Sequence, residues 1–183
     1  MYGLINEAMR RLVSETAGED AWARIATRAH APHGYAFLSY YDDEITYDLV
    51  AAASVELGTT GEQLLRDFGR YWSLHVGPEN YADLLGATGT DVVSVLRNLD
   101  AMHARLQLLY PELRPPSFAV SDVDGSSLVV HYSSERDGLA PFVVGLLEGL
   151  GELYGTPAAV EHVTAPAEGS AYDVFRVTLA DAP

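Results

Sequence analysis

His103 stands where an amphipathic helix would carry another leucine. Val92, Leu96, Leu99, His103, Leu106 and Tyr110 recur at alternating steps of four and three residues, so they share one stripe of a helix, and that stripe is expected to be buried. A buried imidazole needs a partner. In its neutral form it is a common protein ligand for a metal ion or a haem iron. The plainer alternative is a core histidine bonded to a backbone carbonyl, the more frequent fate of a lone histidine on an apolar face.

Two downstream features favour the ligand. Arg114-Pro115-Pro116-Ser117-Phe118 ends the helical pattern and forces the chain to extend. Beyond it, the apolar run Leu128-Val129-Val130 leads into His131-Tyr132-Ser133-Ser134-Glu135-Arg136. On a strand of period two, Leu128, Val130, Tyr132, Ser134 and Arg136 point to one face, which starts apolar and turns polar. A phenol, a hydroxyl and a guanidinium in one row form a docking point for carboxylates, because arginine bonds them bidentately while tyrosine and serine donate alongside. Taken alone, the motif also fits a solvated strand end with Arg136 paired to Asp137 or Glu135.

A helical histidine, a Pro-Pro-Ser-Phe exit and Tyr-x-Ser-x-Arg together resemble the haem nitric oxide/oxygen binding (H-NOX) domains, whose signature is an axial histidine with a Tyr-x-Ser-x-Arg clamp for the haem propionates. The likeness runs from Met1-Tyr2-Gly3 to the C-terminal strands. It implies a non-covalent haem b with His103 as the iron ligand, Tyr132, Ser134 and Arg136 as the propionate clamp, and Pro116 pressing on the porphyrin plane. It also puts Ile5, Met9, Trp72, Val76, Phe142 and Leu146 around the gas site on the other face of the haem. Each of these six is equally the kind of residue that simply fills a core.

Composition narrows the chemistry independently. A chain of 183 residues suits one domain with a sizeable core, burying on the order of 70% of its unfolded surface. Cysteine is absent, which excludes disulfides, thiolate zinc sites, cysteine nucleophiles and thioether-linked haem. All 11 basic residues are arginine, so Schiff-base chemistry, pyridoxal phosphate and a Walker-type phosphate loop are excluded as well. A net charge of −15 argues against nucleic acid and anionic membranes as partners. No apolar run approaches the roughly 18 residues of a membrane span. The N-terminus shows no basic leader with a small-residue cleavage site, so a cytoplasmic location is expected.

In chain order, Tyr2, Ile5, Met9, Leu12 and Val13 form a helical stripe, and a second helix is predicted over Ala21 to Ala29. His30 to Tyr41 reads as loop. Ile45 to Leu57 reads as a helix stopped by Gly58, and Thr60 is placed to cap the next one, which runs to about Val76 with Leu65, Phe68, Trp72 and Val76 on one side. Asn80 to Leu85 is predicted as a short helix. After Pro116 the period changes to two: Phe118 to Val123 and Ser127 to Ser134 pair as a hairpin through Asp124-Gly125. Pro141 opens a helix to Tyr154, apolar at Phe142, Leu146, Leu150 and Leu153, in which Gly145 and Gly149 permit close approach by a flat ligand or a neighbouring helix. Ala158 to Val163 and Tyr172 to Leu179 form a second hairpin around Pro166 to Ser170. The expected architecture is α+β: a helical N-terminal part over about residues 1–60, then over 61–183 the histidine helix, an antiparallel sheet of about four strands and its packed helices. The resemblance makes 1–183 a single H-NOX-like domain with haem between the parts.

The function this implies is a gas sensor binding nitric oxide and carbon monoxide at ferrous haem. It would signal through release of His103 and movement of the lobes to a separate protein, a histidine kinase or a cyclic-nucleotide enzyme. Family members that hold oxygen stably have a tyrosine where this chain aligns Phe142. One alternative is therefore an oxygen sensor using the Trp72 indole as donor. Another is a cytochrome-like electron carrier with Met9 or His75 closing the sixth position. An enzyme is not expected, since no distal acid–base pair is in view.

Overall fold

The computed structural model describes residues 1–164 and 172–180. The chain forms two compact units, Met1–Phe68 and Gly69–Pro183.

The first unit is helical. It contains α1 (Gly3–Ala17), α2 (Glu19–Arg28), α3 (Asp43–Leu57) and most of α4 (Gly61–Tyr71). Its core is made of Leu4, Met9 and Val13 from α1, Trp22 and Ile25 from α2, Leu49 and Ala53 from α3, and Leu64 and Phe68 from α4. The loop expected over His30 to Tyr41 supplies carbonyls to the orphan N–H groups that open α1: Gly3 donates to Ser39 at 2.8 Å and Leu4 to Phe37 at 3.1 Å. A side chain at Gly3 would stand 2.1 Å from the Ala36 carbonyl oxygen, so that closeness requires glycine. Gly58 ends α3 with φ +64°, and Thr60 caps α4 by accepting the Gln63 N–H at 3.1 Å.

α4 does not continue smoothly to Val76. Residues Trp72–Val76 form a π turn, closed by the Gly77 N–H on the Trp72 carbonyl, and α5 (Gly77–Thr88) follows with a kink at Tyr81. Around the extra residue Tyr71, Ser73 and Val76 are buried and Trp72 is half-buried; upstream, within regular α4, Leu64 and Phe68 are buried and Leu65 is half-buried, so Leu65 and Trp72 leave the inner stripe. The short helix expected at Asn80 to Leu85 is the middle of α5.

α6 (Val92–Leu109) opens with a capping box in which the Asp91 carboxylate accepts the Ser94 N–H at 2.8 Å and the Ser94 hydroxyl accepts the Asp91 N–H at 3.2 Å. β1 (Ser117–Asp124), β2 (Ser127–Ser133), α7 (Ala140–Leu153), β3 (Ala158–Thr164) and β4 (Asp173–Leu179) complete the second unit. The sheet is antiparallel in the order β1-β2-β4-β3. α6 and α7 cover one face of it, around Val95, Leu96, Phe118, Leu128, Val130, Leu147, Phe175 and Val177. The first hairpin turns at Gly125-Ser126, one residue later than expected, because Gly125 takes φ +57° at the first central position. The turn expected at Pro166 to Ser170 lies outside the described residues.

α7 buries Val143, Leu147 and Leu150, while Phe142 and Leu146 are half-buried. The reason is its seam with the end of α4 and the π turn. A Cβ at Gly69 would stand 2.0 Å from the Phe142 carbonyl oxygen, and one at Gly149 would stand 2.8 Å from the Ser73 Cβ. Helix packing therefore explains Gly149. The seam is closed outside by Arg70, which donates to both Glu152 carboxylate oxygens at 2.6 and 2.7 Å. Gly69→Ala should lower stability by about 1–3 kcal/mol through overpacking. Gly86→Ala, where a new Cβ meets nothing within 4 Å, should stabilise by up to about 1 kcal/mol. Urea unfolding of both variants checks this; equal midpoints would remove the proposed close approach.

Candidate functional site

The stripe on α6 is buried through Val92, Val95, Leu96 and Leu99, but His103, Leu106 and Tyr110 are half-buried. The sheet and α7 meet the first half of the helix. The second half is met by the chain returning from Pro115, and this return fixes the histidine. His103 Nδ1 lies 3.0 Å from the Pro116 carbonyl oxygen. A carbonyl can only accept, so Nδ1 carries the proton and Nε2 keeps its lone pair. Burial pushes His103 below its ordinary value of 6.5, against the upward pull of the Pro116 carbonyl and the Asp100 carboxylate. The imidazole is therefore neutral near pH 7.

Asp100, one turn before His103, was not singled out in the sequence. Its carboxylate accepts the Ser117 hydroxyl at 2.6 Å and the Phe118 N–H at 2.7 Å. One face of α6 thus holds three consecutive residues of the exit, Pro116 by its carbonyl and Ser117 and Phe118 by their donors. The available signal was an acidic residue on the same helical side as the histidine, facing a serine after the proline pair.

Phe118 connects the histidine to Tyr132. Its ring lies 6.3 Å from that of His103 and 5.2 Å from that of Tyr132, and Tyr132 in turn lies 6.4 Å from Phe175. Tyr132 is 4% exposed near the end of β2, as the alternation requires. The period-two row stops there, however. β2 ends at Ser133, and the Ser134 hydroxyl accepts the Arg136 N–H at 3.0 Å, a local turn that draws the chain out of the strand. Arg136 instead points a guanidinium nitrogen at the Arg114 carbonyl, 2.9 Å away, beside the proline exit.

The remaining candidates fall into two sets. Trp72 and Val76 on the π turn and Phe142 and Leu146 on α7 belong to elements in direct contact within the second unit, where the Ser73 hydroxyl donates to the Leu146 carbonyl at 2.9 Å. Ile5, half-buried, and Met9, fully buried, lie on α1 of the first unit; their assignment to a gas site rests on the family resemblance. His75 is exposed, with its ring 4.7 Å from that of Tyr71.

A sequence profile described as haem-NO-binding matches residues 2–162. The chain belongs to the haem-NO-binding family. Among curated relatives it is similar to soluble guanylate cyclase gcy-34 of Caenorhabditis elegans, 30% identical over 160 residues covering 84% of this chain and 23% of that one. It is also similar to soluble guanylate cyclase 89Db of Drosophila melanogaster, 24% identical over 85% of this chain and 24% of the relative. The chain therefore spans about a quarter of the length of the curated relatives it matches. Among solved structures, an H-NOX protein from S. oneidensis in its Fe(II) state superposes with TM-score 0.89 at 20% identity, covering all of this chain and 98% of that one. The Fe(II)NO state of an H-NOX protein from S. oneidensis superposes with TM-score 0.86 at 20% identity over 99% and 100%.

The α+β fold is thus that of the H-NOX structures. Membership makes haem the cofactor, and this domain a haem-based gas sensor rather than an enzyme. The residues present fit such a group: a neutral imidazole with its tautomer set by a carbonyl, a buried phenol, and a guanidinium nearby. No helix among the described residues is long and apolar enough to cross a membrane.

A pH dependence follows from His103. Its folded value is depressed, so the unfolded chain binds more protons, and the contribution is complete above about 6.5 and lost as pH falls toward the folded value. In haem-free protein, the urea midpoint should drop more steeply between about pH 7 and 5.5 in wild type than in His103→Asn, whose amide can still donate to Pro116. Equal slopes would show that the imidazole is not sheltered.

Proposed function

We propose that His103 is the axial ligand of a ferrous haem, that Tyr132, Ser134 and Arg136 hold its propionates, and that the domain senses nitric oxide and carbon monoxide. The observation that supports this most is the bond from His103 Nδ1 to the Pro116 carbonyl, because it leaves the Nε2 lone pair free and makes it a better donor. The haem supplies an open iron position for a diatomic gas.

The chain's own groups divide the remaining work. Pro116 orients the imidazole through its carbonyl and would press on the porphyrin plane. Arg136 brings a guanidinium beside the proline exit through its bond to the Arg114 carbonyl, and Ser134, which accepts from the Arg136 N–H, has a hydroxyl hydrogen to donate to a carboxylate. A charge-assisted clamp of this kind gives a strongly acidic chain a place for two further negative charges. Loss of a bond between His103 and the iron would leave α6 free to shift. The bonds of Asp100 to Ser117 and Phe118 then pass that shift into β1. The receiver is a downstream signalling protein, a cyclic-nucleotide enzyme or a histidine kinase. Likeness to guanylate cyclases supports the former.

His103→Gly should lose haem, or hold it only with added imidazole, since the substitution removes the protein's bond to iron and leaves room for the free ring. Full haem content with an unchanged spectrum in the absence of imidazole would show that the ligand lies elsewhere.

Gas selectivity is set by Phe142, which offers a ring and no hydroxyl. Oxygen gains more from a hydrogen-bond donor than nitric oxide or carbon monoxide does, so the reduced wild type should bind the latter two and show no stable oxygen binding in air. Phe142→Tyr should raise oxygen affinity several-fold, as one hydrogen bond in a dry pocket is worth about 1 kcal/mol. Absorption spectra of reduced wild type, Phe142→Tyr and Trp72→Phe in air check this. Stable oxygen binding in wild type that vanishes in Trp72→Phe would make the chain an oxygen sensor with the indole as donor.

A further inference from the structure

Ser73 is 5% exposed, yet its neighbours across the seam are the backbone of α7 and a glycine. Its hydroxyl donates to the Leu146 carbonyl at 2.9 Å. That carbonyl lies in the middle of α7 (Ala140–Leu153), where the helix already provides an amide partner four residues on. The hydroxyl is therefore not needed to satisfy the helix, and what it adds is a lateral tie. We infer that Ser73 is a positioning residue for the gas site: its bond to Leu146 sets the spacing between the π turn that carries Trp72 and Val76 and the stretch of α7 that carries Phe142 and Leu146.

Two further observations converge on this seam. The π turn Trp72–Val76 is a rare geometry that occurs mostly as single turns inside α-helices, frequently at functional sites. The added residue corresponds to about 100° of helical rotation, and with it both Ser73 and Val76 are buried. The second observation is how tightly the backbones meet. A Cβ at Gly69 would press on Phe142 and Leu146 backbone atoms at 2.0 and 2.7 Å, and one at Gly149 would meet the Arg70 carbonyl oxygen at 2.9 Å. With backbones in such contact, a change at Ser73 is felt at Phe142 and Leu146 without an intervening side chain. The bidentate Arg70–Glu152 pair holds the outer end of the same seam, so loss of the Ser73 bond loosens the inner part while the elements stay docked.

The inference rests on the gas-site assignment above, and its test separates the two. Ser73→Ala and Ser73→Cys, the latter a weaker donor of nearly the same shape, are compared with wild type as ferrous, carbon monoxide-bound protein. Ser73→Ala should lose carbon monoxide about three- to tenfold faster, the range that corresponds to one hydrogen bond, and its C–O stretching band should shift or broaden. Ser73→Cys should fall between. In haem-free protein, amides of residues 146–150 should exchange faster in Ser73→Ala. The iron–histidine stretching band should be the same in all three. Wild-type dissociation rates and an unmoved C–O band in Ser73→Ala, even with a lowered unfolding midpoint, would overturn the inference and leave Ser73 a packing residue. An iron–histidine band that survives in His103→Gly would instead overturn the axial assignment, and the amide exchange would still decide whether Ser73 positions α7.

Discussion

The second unit depends on one hydrogen bond between a helix and the chain that has just left it. His103 Nδ1 and the Pro116 carbonyl, 3.0 Å apart, decide which imidazole nitrogen is protonated, which way the ring faces and where the chain enters the sheet. Two successive prolines make this possible, since they forbid further helix and hold the backbone extended as it turns back. Asp100 then removes the remaining freedom by taking both donors that follow, Ser117 and Phe118. At the far end of α6 the Asp91–Ser94 capping box fixes the start of the helix. The histidine is thus held by its own helix and by β1 together, and neither can move without the other.

From β1 the constraint passes through aromatic contacts instead of hydrogen bonds. Phe118 touches both His103 and Tyr132, and Phe175 on β4 supports Tyr132 from the other side. The arrangement ties the His103 imidazole to the packed core that holds Phe118, Tyr132 and Phe175. Arg136 reaches the same region by leaving the strand and bonding to the Arg114 carbonyl. An arginine kept on the strand would have followed the sheet face, whereas the turn made by Ser134 lets it double back toward the proline exit.

A second seam, between the end of α4, the π turn and α7, works by the opposite means. There the glycines Gly69 and Gly149 let backbones meet directly, and a single hydroxyl supplies the polar tie. The first unit uses the same device at Gly3, where the loop carbonyls replace a missing helical turn. In both places the absence of a Cβ permits backbone polar groups to be satisfied at short range.

The sequence alone determined the α+β architecture, the place of His103 on its helix and the proline exit, because helical and strand periodicities and the two prolines are local properties of the chain. It also excluded covalent haem and lysine chemistry, since composition needs no fold to be read. Only the tertiary structure decided that Nδ1 is the protonated nitrogen, since a carbonyl thirteen residues away in sequence had to be brought to it. The role of Asp100 was illegible for the same reason: on the helix it is one exposed acid among many, and its partners appear only once β1 has returned. Periodicity also failed at the π turn, where one extra residue left Trp72 half-buried and buried Ser73, and at Ser134, where a side chain that bonds its own backbone ended the strand early. Both departures come from short-range hydrogen bonds or backbone contacts that outweigh the apolar pattern, and such contacts are fixed by what the fold puts opposite each residue.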